Sequence, residues 1–198
     1  MIKLIIQSIR QKLAWIVVCG VFYPVAMTAI AQLAFPRQAN GSLVEREGKV
    51  VGSALLAQQF TGSKYFWPRP SANGYGTGPA GFAASSGSNF GPTSAQLQTN
   101  VRNNAKALRD AHRLPADAPV PADLVYASAS GLDPHISPEA ARFQIARVAA
   151  ARGMSEATIS ALVERFVEPP QWGFLGEARV NVLLLNLALD AADGKKFG

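Results

Sequence analysis

Cysteine is almost absent from this chain: of 198 residues one, Cys19, carries a thiol, and it lies inside an apolar run. No internal disulfide can form, and cysteine-based metal centres are excluded. Histidine is nearly as scarce, at two residues, His112 and His135. With no cysteine to join them they make no metal-ligand spacing, and no nucleophile, base and orienting group can be assembled into a catalytic set. The first acidic residue is Glu45, so the chain starts with a stretch that carries positive charge only. Charge of either sign is missing from Leu13 to Phe35, 23 residues reading LAWIVVCGVFYPVAMTAIAQLAF. Internal repeats are also missing, which excludes a solenoid.

What is present begins with that uncharged run. As a helix it reaches ~35 Å, enough to cross the hydrocarbon of a bilayer with some tilt. Trp15 suits an interface, Gly20, Ala26 and Ala29 offer small surfaces to another helix, and Pro24 predicts a kink. Lys3, Arg10 and Lys12 precede the run and Arg37 alone follows closely, a bias that holds the N-terminus in the cytoplasm and exports the rest. The expected organisation is a cytoplasmic segment 1–12, a transmembrane helix 13–35 and one extracytoplasmic domain 36–198. Ala29-Ile30-Ala31 also fits a cleavable signal, but the run exceeds the ~7 to 15 apolar residues of a signal core. A lipid anchor at Cys19 is disfavoured by the bulky Val18 before it.

Formal charge is +6 and the pI about 9.8, which invites nucleic acid as a partner. Half of that excess sits in the first twelve residues. RFQIARVAAARGMSEATISALVERF has the spacing of a DNA-binding helix-turn-helix around Gly153, yet an exported domain cannot meet the chromosome. Two short helices joined at a glycine are also a common packing unit, and no nucleic-acid partner is expected.

Along the exported part the pattern predicts an α+β domain, helix-rich toward the C-terminus with few short strands. Glu47-Gly48-Lys49 between apolar runs marks a hairpin. Tyr65-Phe66-Trp67-Pro68-Arg69-Pro70 reads as extended, and Ser71 to Pro92, with glycines at 74, 76, 78, 81, 87 and 91, as a long irregular loop. Thr93 or Ser94 caps a helix reaching about His112, and Leu124-Val125-Tyr126 suggests a short strand. Ser137 with Pro138 and Glu139 starts a helix running to Gly153, Ser155 caps another to about Phe166, and Val180–Leu189 is expected as a final core helix.

Two motifs bear on chemistry. Ser86, Gly87, Ser88, Asn89 and Gly91 lead into a helix N-terminus, where free amides favour an anion. The lysine of a phosphate-binding loop is missing, so the favoured reading is a turn whose glycines permit positive φ. Asp133 and His135 surround a proline; the carboxylate is expected to accept local backbone amides and the imidazole to pack.

The N-terminal helix, Tyr65–Ala72, Ser85–Thr93, Ser130–Ser137 and Asn181–Asp190, in this order and over almost the whole chain, resemble the KdpC family, the C subunits of Kdp-type potassium-transporting ATPases. The resemblance implies a non-catalytic accessory subunit in a bacterial inner membrane. Its partners would be a channel-like potassium-binding subunit, a P-type subunit that hydrolyses ATP, and a small membrane subunit. ATP and potassium would be used by the complex, with this chain raising ATP affinity as a catalytic chaperone and binding no cofactor of its own. Two readings follow. In the first the chain assembles and couples the pump, with Tyr65, Phe66, Trp67, Arg69, Ser71 and Asn89 as the candidate partner surface, although the aromatic residues fit the domain's own core equally well. In the second the Gly-rich loop contacts ATP directly, which requires a cytoplasmic domain.

Overall fold

The computed structural model describes residues 1–76 and 84–192, in two compact units divided between Val51 and Gly52. The part of the expected loop that holds Gly78 and Gly81 lies outside the described residues.

In the first unit one helical rod covers Ile2–Ala34, with a mean hydropathy of 2.1 over its most apolar window and no part of that window buried. It comprises α1 (Ile2–Val17), a π-helical turn (Val18–Phe22) and α2 (Tyr23–Ala34). The rod starts well before the expected span at Leu13. Ile2, Ile5, Ile6 and Ile9 recur at helical spacing among Lys3, Gln7 and Arg10, and no breaker separates them from the uncharged run. Pro24 has no N–H to donate and its ring crowds the carbonyl one turn earlier. The wider turn just before it, where the Tyr23 N–H reaches the Val18 carbonyl, is where the ladder adjusts. After α3 (Pro36–Ala39), β1 (Leu43–Arg46) and β2 (Lys49–Ser53) pair as a hairpin. Its turn residues Glu47 and Gly48 both have positive φ, 51° and 75°.

The second unit builds its core from helices around a small antiparallel sheet. α4 (Ala95–His112) is capped by Ser94, whose Oγ accepts from the Leu97 N–H at 3.3 Å. Arg109 in its last turn places positive charge at the negative end of the helix dipole. Leu124 and Val125 are buried at the place where a strand was expected, but they sit on a 3₁₀ turn (Ala122–Leu124). Pro121 presets φ at −59° and the Ala122 carbonyl accepts from both Val125 and Tyr126, so the chain winds rather than extends.

β3 (His135–Ile136) leads to α5 (Pro138–Phe143), capped by Ser137 Oγ on the Ala140 N–H at 3.0 Å. The expected single helix to Gly153 is instead two. The chain kinks at Gln144, and α6 (Ile145–Arg152) continues to Gly153. Ser155 caps α7 (Glu156–Arg165). β4 (Val167–Glu168) and β5 (Arg179–Asn181) follow, then α8 (Val182–Ala192). Val180 and Asn181 were expected inside that last helix; they form the central strand of the sheet β3-β5-β4, with Ile136 and Val167 opposite Val180. Val180 is β-branched and fully buried, a residue suited to a strand between two neighbours.

Phe66, Val148, Ile159, Val163, Leu185 and Leu189 are all fully buried in one cluster. The two helices flanking Gly153 meet through these side chains, which is the packing-unit reading of that pair. α8 is apolar nearly all round, as expected of a helix inside a core. Leu185→Ala in the full chain is predicted to lower unfolding free energy by about 2–5 kcal/mol, and Ser137→Ala by about 1 kcal/mol. Denaturant titration in detergent, followed by circular dichroism, measures both.

Candidate functional site

Residues 63–65 make a turn, with the Tyr65 N–H on the Gly62 carbonyl at 3.2 Å, and 66–67 follow it outside any strand, so most of their backbone groups need other partners. Helices α6 and α8 and the kink before α6 supply them. The Gln144 carboxamide accepts from the Trp67 N–H at 2.7 Å and donates to its carbonyl at 3.1 Å. Asn186 does the same for Phe66, at 2.8 and 3.0 Å. Arg147 donates to the Ser63 carbonyl at 2.6 Å and the Tyr65 carbonyl at 3.0 Å, and Arg152 donates to the Lys64 carbonyl at 2.7 Å. Five consecutive carbonyls are thus satisfied by buried side chains.

The charges that do this are themselves paired or stacked. Arg152 meets Asp190 at 2.7 Å with both side chains nearly inaccessible, and Asp190 also accepts from the Tyr65 hydroxyl at 3.1 Å. Arg147 lies 4.1 Å from the centre of the Trp67 ring. Burial pulls its guanidinium down to about 10, so it stays cationic at neutral pH. Its Nε donates to His112 Nε2, and His112 Nδ1 lies 2.8 Å from the Leu108 carbonyl. Burial depresses the His112 pKa, the Leu108 hydrogen bond opposes that and the Arg147 charge adds to it. A neutral imidazole protonated at Nδ1 satisfies both contacts.

Just beyond, three segments converge. Ser71 Oγ donates to the Gly131 carbonyl at 2.7 Å, the Ser86 N–H to the Ser130 carbonyl at 3.0 Å, and the Ser128 N–H to the Pro70 carbonyl at 3.0 Å. The approach is close enough to require glycine twice. A Cβ on Gly87 would stand 2.6 Å from the Ala129 carbonyl oxygen, and one on Gly131, at φ +68°, 2.7 Å from that of Ser86. Arg69 pairs with Asp133 at 3.1 Å. Asp133 also accepts from the His135 N–H at 3.0 Å, as expected of it, with the imidazole 3.6 Å away. Burial pushes the Asp133 carboxyl up, but His135 and the Arg69 charge outweigh it and hold it below its ordinary value.

Against the sequence expectations, the aromatic run divides. Tyr65 and Phe66 are 8% and 0% exposed, so they are core of this chain and not a surface for a partner. Trp67 is half-buried under Arg147. Arg69 and Ser71 are half-buried and hold the convergence together, while Asn89, Ser86 and Gly91 are exposed. Gly87 and Ser88 line a cleft of about 570 Å³ beside α4, together with Ser71, Asn73, Asn100 and Asn104. Among the described residues none that lines that cleft is charged. Among the described residues no three metal-ligating side chains gather. Gln144, Arg147, Arg152 and Asp190 escaped the sequence reading. The spacing of Asn186 and Asp190, four apart in an apolar run, was the one signal of a polar seam.

A family model described as "KdpC: K+-transporting ATPase, c chain" matches residues 5–191. The chain belongs to the KdpC family. Proteins named "Potassium-transporting ATPase KdpC subunit" are similar to it over nearly their full length. That of Methylococcus capsulatus is 55% identical over 93% of this chain and 95% of its own. That of Geobacter sulfurreducens is 54% identical over 92% and 95%, and that of Myxococcus xanthus 50% identical over 100% and 90%. The KdpC match spans both the apolar helix and the side-chain-clamped segment.

Asn186→Leu keeps the volume and leaves the Phe66 N–H and carbonyl unpaired, so it is predicted to cost roughly 2–4 kcal/mol in the same denaturant titration. A carboxyl whose folded pKa lies below its unfolded value stabilises fully above the ordinary 3.8 and loses that contribution as pH falls through the lower folded value. Thermal melts of Asp133→Asn against parent are therefore expected to converge as pH drops below about 4. His112 shares the same sign but is present in both proteins.

Proposed function

We propose that this chain is the non-catalytic accessory subunit of an ATP-driven potassium uptake pump. Its helix docks in the inner membrane with the N-terminus in the cytoplasm, and the domain after it lies on the periplasmic side. Its partners there are the channel-like subunit, the P-type ATP-hydrolysing subunit and the small membrane subunit. It influences ATP use, including the affinity of the hydrolysing subunit, only through the complex.

The observation that carries this reading is the match to the c chain of a K+-transporting ATPase over residues 5–191. The exposed apolar helix supports the membrane part. It bears Lys3, Arg10 and Lys12 before its uncharged stretch and Arg37 after it, the asymmetry that retains an N-terminus inside. The competing reading, ATP contact through the loop from Ser86 to Pro92, finds less support, since the described residues lining the cleft beside it offer no counter-charge for a triphosphate.

Copurification from bacterial membranes tests the assignment. The full chain is expected to recover the other pump subunits, and a chain lacking residues 1–35 to recover them poorly. Recovery of none by the full chain rejects the accessory role. A reporter fused after Gly198 is expected to be active only when it is of the kind that works outside the cytoplasm; the opposite result favours the ATP-contact reading.

A further inference from the structure

Between β4 and β5 the chain makes a turn whose aromatic side chains point away from the core. Trp172 is 84% exposed and Phe174 74%, with Leu175 at 44%. A flexible loop could expose them incidentally, but this one is braced. Gln171 and Leu175 exchange both backbone hydrogen bonds at 2.9 Å, and the Gly173 N–H donates to the Pro170 carbonyl at 3.0 Å. At its base Glu168 and Arg179 pair across the strands at 3.0 Å.

The backbone is also bent in an unfavourable way to achieve this. Trp172 and Gly173 are consecutive residues at positive φ, 53° and 83°, as in a type I′ turn, where asparagine, aspartate or glycine is the usual first occupant. At 84% exposure the indole gains little from packing on the described residues. Strain held by a surrounding hydrogen-bonded frame is characteristic of a functional position.

The occupant is distinguished by charge. Residues 169–176 carry none, and the flanking charges are Glu168 paired with Arg179, and Glu177. A wedge for an anionic lipid surface would bring lysine or arginine with its aromatics; this one brings a net negative base. A braced, uncharged tip with tryptophan at its apex and charge only at its base matches an anchor for an apolar pocket on a protein.

We propose that the Gln171–Leu175 turn is a docking element that inserts Trp172 and Phe174 into an apolar pocket of another pump subunit on the domain's side of the membrane. This rests on the accessory-subunit reading above. β5 passes from the turn directly into α8, so the tip is carried by the same core that clamps residues 63–67.

Trp172→Gly and Phe174→Ser in the full chain test it. Trp172→Gly removes the indole and the unfavourable φ together, so its melting temperature in detergent is expected to equal or exceed the parent's. Recovery of pump subunits from membranes is expected to fall about tenfold for either variant, with Trp172→Phe recovering most of the loss. In a Cys19→Ser background, Phe174→Cys carrying a benzophenone maleimide is expected to crosslink to another pump subunit. Crosslinking only to lipid, only to a second copy of this chain, or to nothing overturns the proposal, as does unchanged recovery by both variants. A parent that recovers no pump subunit overturns the accessory role and this proposal with it; a parent that recovers them alongside unaffected variants overturns this proposal alone.

Discussion

A carbonyl shut off from water without a donor costs about 1–3 kcal/mol, and the five consecutive carbonyls from Ser63 to Trp67 take their donors from side chains rather than from a neighbouring strand. Gln144, Arg147, Arg152 and Asn186 supply the donors. The chain takes these from α8 and from α6 with the kink before it, so the clamped segment, the kink and the last helix hold their places together. Gln144 can face Trp67 because the helix breaks there. Arg152 can be buried because Asp190 and the Lys64 carbonyl meet it. Such an arrangement is less forgiving than an apolar core, since removal of one member strands the others.

The consequence for function is rigidity carried to the surface. Phe66 anchors the segment in the core, and Arg69 and Ser71 immediately after it tie to Asp133 and Gly131. Three stretches far apart in the chain meet there with glycine-limited clearance. On the same core, β4 and β5 carry the exposed Trp172 turn. The side-chain clamp leaves this body little freedom to yield.

The first unit was legible because the code for it is local. An uncharged stretch between one-sided positive charge and a single arginine has few alternatives in water, although its helix proved longer than the apolar run alone required. The caps at Ser94, Ser137 and Ser155 were equally readable, since a hydroxyl before a helical pattern acts on the next three residues only. Asp133 too bonds the amide two residues on, as its position before Pro134 suggested. The misreadings have a common origin. The Leu124 turn, the break at Gln144 and the strand at Val180 each depend on what lies opposite in space, and short apolar runs do not distinguish strand from helix.

By itself the sequence determined that one helix is apolar enough to cross a membrane, that α+β structure follows it, and, through long motifs in order, which family the chain resembles. Only the tertiary structure decided that Tyr65 and Phe66 face inward while Trp172 and Phe174 face out. All four are aromatic residues near proline or glycine, with nothing local to separate them. The difference lies in partners. Asn186 and Asp190, more than a hundred residues away, satisfy the polar groups of the first pair and draw it inside, whereas the turn at Gln171–Leu175 satisfies its own backbone and leaves its side chains without a core to enter.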